Sequence, residues 1–357
     1  MRVTFAHMGT SVIPFSFLLS ELGHHVVRPP RPTEHTLTLG ARHAPEFACI
    51  PFKLVLGTYL EVMDQGVDII VSGGGLGPCR AGYYGELHRR ILRDLGHEPE
   101  MVFFWPPLKA PGDFIAKLRR LKGQASWRRL WRALSTTWAK LKAVDDVEMR
   151  SHQVRPEEAV RGQTTRALLK GLELIERAAT RDEVLAARDR ALAILEAVDR
   201  RSVHDPLRVG VIGEIYVQLE PAANFYLEQR LGEMGVYVRR SIFLTSFART
   251  DVFGRGSSSV KELACPYLPE NVGGHGQSSV GETILYARRG FDGVIQLAPF
   301  TCIPEIVAKS IMPHLSRDHD IPVLTLFIDE QTGPAGIETR LEAFVDLLRS
   351  RRRRMAG

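Results

Sequence analysis

The chain has 357 residues, 44% of them hydrophobic, and a formal net charge of +6. That apolar content is enough for two cores of ordinary domain size. No stretch approaches the roughly 18 apolar residues of a membrane span, and the opening MRVTFAHMG reads as a strand, not as the apolar region of a signal peptide. A soluble cytoplasmic protein is therefore expected, in a compartment where thiols stay reduced and disulfides are the less common use of cysteine.

In chain order, residues 1–105 alternate strand and helix patterns. RVTFAH, HHVVRP, VDIIVSGG and PEMVFFW are β-rich runs. SVIPFSFLLSELG, IPFKLVLGTYLEVMDQG and AGYYGELHRRILRDLG are helical patterns that stop on glycine. Strands alternating with helices of this length predict an α/β domain with a parallel sheet covered on both faces. Residues 106–205 change character and are dense in helix formers, which predicts a helical linking subdomain. Its basic, Trp-bearing stretch 117–142 reads as a solvated helix pair whose tryptophans pack on the core; nucleic-acid binding is the weaker alternative.

Residues 206–357 repeat the first pattern and end in a basic tail, RSRRRR. The predicted strands are LRVGVIGEIYV, YVRRSIFL, FDGVIQLAP and IPVLTLFID. The helices are ANFYLEQRLGEMGV, SSVGETILYARRG, PEIVAKSIMPHL and TRLEAFVDLLRSR. A second α/β domain follows, related to the first as a pseudo-repeat.

Four cysteines occur, each within two residues of a proline: Cys49-Ile50-Pro51, Pro78-Cys79, Cys265-Pro266 and Cys302-Ile303-Pro304. Gly66-Val67-Asp68 opens an apolar run leading to Cys79. Gly290-Phe291-Asp292 opens another leading to Cys302. Both cysteines thus fall just past the carboxyl end of a predicted central strand, where open α/β sheets bind ligands. A helix N-terminus after each is expected to lower the thiol pKa. Cys49 enters a helix with Pro51 in its first turn. Cys265 lies in a Pro-rich loop and matches Cys49 only loosely.

Thiolates select zinc or iron–sulfur clusters. The close cysteine pairs of a structural zinc knuckle are missing, whereas single ligands from distant loops suit a 4Fe-4S cluster clamped between two domains. All four cysteines are therefore candidate metal ligands. The competing interpretation is that they are small buried hydrophobes. The cluster Gly73 to Gly77 does not have the spacing of a dinucleotide fingerprint; backbone N–H groups near Gly77 are better placed to hydrogen-bond cluster sulfides. Gly273-Gly274-His275-Gly276 reads as an anion-binding nest in which His275 donates to a ligand. Glu214, after a first strand, sits where a cleft residue would. Lys53, Arg80, Tyr83 and Tyr84 adjoin the cysteines and are candidates to contact a bound anion.

These motifs carry a resemblance. The closing segment IPVLTLFIDEQTGPAGIETRLEAFVDLL, with Cys302, Asp329, Thr339, Arg340, Ala343 and Phe344, resembles the end of the 2-hydroxyacyl-CoA dehydratase subunits and their benzoyl-CoA reductase relatives. GVIGEIYV, GFDGVIQLAPFTCIPE, EFACIPFK and GPCRAGYYGEL are similar to the branch called acyl-CoA dehydratase activase-related, or CoA protein activase. The resemblance covers both α/β halves and fades in the helical middle. It implies two Rossmann- or flavodoxin-like domains with a 4Fe-4S cluster between them. It also implies a separate ATP-hydrolysing activator of the actin/Hsp70-like class, which feeds the cluster a low-potential electron for a CoA thioester.

Cys49, Cys79 and Cys302 match the family's cluster ligands, and Cys265 has no counterpart. If Cys265 also ligates, every iron is capped and the chain carries electrons; if it does not, an open iron allows substrate reduction. The activator's nucleotide motifs are missing, so no ATPase activity is expected. The leading expectation is a redox component or subunit of a dehydratase- or reductase-like system. It would work with a related subunit or as a homodimer, on an acyl-CoA or other small molecule, with no membrane partner. The alternative is a zinc-binding or metal-free scaffold.

Overall fold

The computed structural model describes residues 1–73, 78–104, 110–202, 205–252 and 258–356. The first unit runs β1 (Arg2–Phe5), α1 (Val12–Glu21), β2 (His25–Val26), α2 (Glu34–His43), α3 (Ile50–Leu60), β3 (Ile69–Gly73), α4 (Ala81–Asp94) and β4 (Glu100–Phe104). Four helices follow: α5 (Pro111–Lys122), α6 (Trp127–Val154), α7 (Gln163–Arg177) and α8 (Arg181–Glu196). The last unit begins with β5 (Arg208–Gly213), α9 (Ile215–Leu219), α10 (Leu227–Glu233), β6 (Tyr237–Arg240) and α11 (Leu244–Phe247). It continues with α12 (Ser258–Ala264), α13 (Gly276–Arg288), β7 (Gly293–Pro299), α14 (Ile303–Asp318), β8 (Val323–Ile328) and α15 (Pro334–Ala356).

Two four-stranded sheets result, every pair parallel, in the orders β2-β1-β3-β4 and β6-β5-β7-β8. The orders are the same once the second sheet is renumbered, so the protein is α/β with two Rossmann-like units. In each, the chain leaves the first strand toward one edge and returns to build toward the other. The reversal opens a crevice at the carboxyl ends of β1 and β3, and again at those of β5 and β7.

Local differences from the expected elements have physical causes. The strand predicted through GVIGEIYV stops at Gly213, which sits at φ 127 where a Cβ would strike Leu297 of β7. Glu214 then caps α9 by accepting from the Val217 amide at 3.1 Å. Helix α2 lies in a stretch with little apolar periodicity. Reciprocal Thr33–Thr36 capping starts it, and glycines at its crossing with α3 hold it close: a Cβ on Gly40 would lie 2.7 Å from the Lys53 carbonyl carbon.

One apolar core joins the two units. It includes Ile50, Leu54, Tyr59 and Ile70 from the first, and Val209, Val217, Ile295 and Leu341 from the second. Helix α3 is buried along Ile50 to Tyr59 because α2 covers one side and this shared core the other. A second core packs β1 and α1 against α6, α7 and α8. Helix α6 also reaches the second unit: its Glu148 pairs with Arg240 of β6, which is buried and lies 3.4 Å from Glu228 of α10.

Candidate metal centre

Cys49, Cys79 and Cys302 line one narrow cleft of about 10 Å³, room for little more than a water molecule, together with Arg80, Tyr84, Ile303 and Pro304. The topology brings them together. Cys79 follows β3 and Cys302 follows β7, the equivalent strands of the two sheets. Cys49 precedes α3, a crossover helix that leads into β3, so its N-terminus lies at the carboxyl edge of the sheet.

The repeated Cys-Ile-Pro sequence has one local conformation. Cys49 and Cys302 are each the N-cap of the helix that follows, with proline in the first turn, where a missing N–H costs no helical bond. Three helix N-termini therefore converge on the thiols. Their effect on the pKa values is outweighed. Desolvation pushes Cys49 up to about 11 and raises Cys79 and Cys302 as well. The amides of Phe52, Ala81 and Glu305 pull the other way, and so does Arg80 on Cys49 and Cys79. Glu214 raises all three; its own pKa is pushed up to about 7 by burial.

These directions sort the chemistry. A nucleophilic cysteine needs a lowered pKa, and these three have the reverse. Thiols that stay protonated in a desolvated cleft become thiolates when a bound cation or cluster supplies the positive charge. Raised values also mark inert buried thiols, so the feature a metal–sulfur group would use is the meeting of three thiols in one cleft. Among the described residues no group of three or more His, Cys, Asp or Glu is arranged around a single ion.

Residues of both units strap the cleft shut. Arg80 donates to the Phe47 carbonyl at 3.0 Å and to the Thr301 carbonyl across the interface. The Thr301 hydroxyl donates to the Phe47 carbonyl at 3.0 Å. Thr301 is held at φ 68, a strained value for a β-branched residue, directly before Cys302. The Tyr84 hydroxyl rests on Cys49 Sγ, and the Tyr84 ring meets Phe52 edge-on at 5.1 Å.

The other predicted site residues are distributed unevenly. Lys53 is buried and directed at Glu330 Oε1, at 2.5 Å across the interface, and at the Glu46 carbonyl. It acts as a strap and does not line the cleft. His275 is the N-cap of α13, with its ring centroid 6.2 Å from that of Phe247, and is not among the residues that line the cleft. Its glycine loop does reach the site: a Cβ on Gly273 would sit 2.8 Å from the Cys79 amide nitrogen. The loop packs closely on the Cys79 backbone. Cys265 is exposed just past α12 and is not among the cleft residues. Gly77 lies outside the described residues. Thr301, Glu305 and Glu330 were not singled out from sequence. Glu305 is buried, its carboxylate accepting from Ser279 at 3.0 Å and from Gln296 at 2.8 Å behind Cys302. Its place in the first turn after Cys302 was the available signal.

Phe47, Tyr83, Phe300, Ile303 and Ile306 are large, exposed apolar residues on the segments that carry the three cysteines. Compared with family models and with curated proteins, the chain matches none.

Proposed function

We propose that the chain is a 4Fe-4S protein whose cluster is held between its two Rossmann-like units by Cys49, Cys79 and Cys302. It would serve as a redox component or subunit of a system like the 2-hydroxyacyl-CoA dehydratases. The observation that carries this reading is the meeting of three thiols, from three separate segments and both units, in one cleft. A bound cluster supplies one-electron chemistry that side chains lack. The chain's own residues bind and orient it. The three thiolates ligate, the Tyr84 hydroxyl donates to Cys49 Sγ, and the amides of Phe52, Ala81 and Glu305 face the sulfurs and favour their charged form. Arg80 and Thr301 fix the distance between the two cysteine-bearing edges.

Cys265 stands apart, so this reading uses three cysteines and leaves one iron for a non-cysteine ligand. That favours a dehydratase or reductase role over simple electron carriage. The exposed apolar residues beside the cleft suit a transient protein contact, which fits delivery of electrons by an ATP-hydrolysing activator.

The test is iron and acid-labile sulfide per chain in anaerobically purified protein. Wild type and Cys265→Ala are expected to hold about four of each, while Cys49→Ala and Cys302→Ala lose most of both. A wild type without iron after anaerobic reconstitution sinks the proposal. Zinc without sulfide does so too, in favour of the scaffold alternative. Loss in Cys265→Ala refutes the three-cysteine centre.

A further inference from the structure

The tryptophans of the basic stretch 117–142 do not all pack on the core. Trp138 leans on the small cluster of Leu141, Leu219, Ile242 and Leu244. Trp127 and Trp131 are 46% and 67% exposed. They are one turn apart on a single stripe of α6, and Leu130 and Ala133 beside them turn inward. A large indole left in water on a helix whose inner face is already filled requires an explanation.

Its surroundings are cationic. The chain reverses at Gly123, with φ 52, so the end of α5 returns over the start of α6. Lys122 lies 5.4 Å over the Trp127 ring and donates to the Gly123 and Ala125 carbonyls. Ile115, Arg119 and Lys122 share one stripe of α5; Ile115 and Arg119 are exposed. Arg128 and Arg132 are exposed beside the tryptophans. Arg119, Arg128 and Arg132 form no ion pair with a described residue, and α6 has no acid before Asp145. The only acid of α5, Asp113, is paired with Lys117.

We infer that this α5–α6 elbow is a peripheral docking surface for an anionic lipid membrane. Arginine and lysine are attracted to the negative headgroup layer. Indole rings settle at headgroup depth, their apolar body toward the acyl chains and their N–H toward water. No span is needed: among the described residues no helix is long and apolar enough to cross a membrane, and surface contact requires only the elbow. Charge argues against a second copy, because two such faces repel. A single-stranded nucleic acid, which would stack on the open ring of Trp131, is the competing occupant that the test separates. Ile115, aliphatic and exposed, has a role in lipid and none along a phosphate backbone.

The test is flotation of the full chain with phosphatidylcholine vesicles, with and without phosphatidylglycerol, at low and high salt. Binding is expected only to the anionic vesicles, falling as salt screens the charges, with a blue shift of tryptophan emission and quenching by brominated lipid. Arg128→Gln with Arg132→Gln should lower the partition constant roughly 30-fold. Trp127→Ala with Trp131→Ala should remove the blue shift while circular dichroism stays native, as both side chains are exposed. No binding at low salt, equal binding to neutral vesicles, or unaltered binding by both double variants overturns the proposal. Tighter capture of a single-stranded RNA oligonucleotide, lost in the same variants, overturns it in favour of a nucleic-acid surface.

Discussion

Gly57→Ala adds one methyl group where α3 crosses α2, and the structure fixes its consequence. The new Cβ would run into the Thr36 carbonyl oxygen, its nearest neighbour, and lie 2.9 Å from the Thr36 carbonyl carbon and 3.0 Å from Thr36 Cγ2. Non-bonded heavy atoms rest at roughly 3.5 Å, so the oxygen contact requires the helices to part by about 1 Å or more. Neither can move freely: α3 is buried along Ile50 to Tyr59 and packs on the core shared by both units. Overpacking of this kind costs about 1–3 kcal/mol, and the clash here is with backbone, which places it at the upper end. Alanine's helix propensity returns about 1 kcal/mol. A net loss of about 2 kcal/mol is expected, read as a lower urea midpoint with an unchanged slope. Because α3 carries Cys49 at its N-terminus, the proposed cluster, where bound, should be retained less well in the same variant. Gly112→Ala is the control: it lies in exposed α5 with nothing within 4 Å of the added Cβ, and should be neutral or slightly stabilising. If Gly57→Ala is as stable as Gly112→Ala, the close helix crossing is not what positions Cys49.

Arg240→Ala leaves Glu148 and Glu228 facing each other in a buried site, and should cost about 3–5 kcal/mol in urea unfolding; a loss below about 1 kcal/mol would mean water reaches the pair. Glu330→Gln removes the anionic partner of buried Lys53. Its expected cost is about 1–3 kcal/mol, with faster amide exchange around residues 46–53 and 328–332, and unaltered exchange there would show that the ion pair does not hold the units together. Burial raises Glu282 from 4.5 to about 7. A carboxyl with a raised folded pKa stabilises at low pH, and that contribution is lost as pH rises from about 4.5 to 7. Glu282→Gln should therefore gain on wild type by up to about 3 kcal/mol between pH 4.5 and 8; equal pH profiles would refute the upward shift of Glu282.

Strands were the legible part of this fold because each is an apolar run bounded by glycine, proline or charge, and buried parallel strands read that way. The cysteine positions after β3 and β7 were legible for the same reason, since they depend only on where two strands end. Helix α2 was not, because it is set by capping between Thr33 and Thr36 and by two glycines that allow a close crossing, and neither leaves an apolar stripe. Lys53 and Cys49 sit four residues apart on the same helix entry, and adjacency in sequence suggested a shared ligand. In the structure Lys53 turns to Glu330, a residue 277 positions away, and no local pattern announces that. Composition alone sends Trp127 and Trp131 inward; in the structure the small Ala133 and the aliphatic Leu130 already fill the inner face of α6.

The nature of the interface between the units bears on how the cleft works. Units that meet through small polar contacts rock against each other, and ligand entry follows the rocking. Here the contact is a continuous apolar core in which side chains of both sheets are fully buried, and opening it would expose that surface to water at about 25 cal/mol per Å². The polar straps at the cleft, Arg80 and Thr301 to Phe47 and to each other, lie over this core and register the edges that carry Cys79 and Cys302. The thiols are thus held by a stiff frame. Among the described lining residues Ile303 is half exposed, at 50%, beside these thiols. That stiff frame suits a buried redox group, whose surroundings must keep the same shape in both charge states.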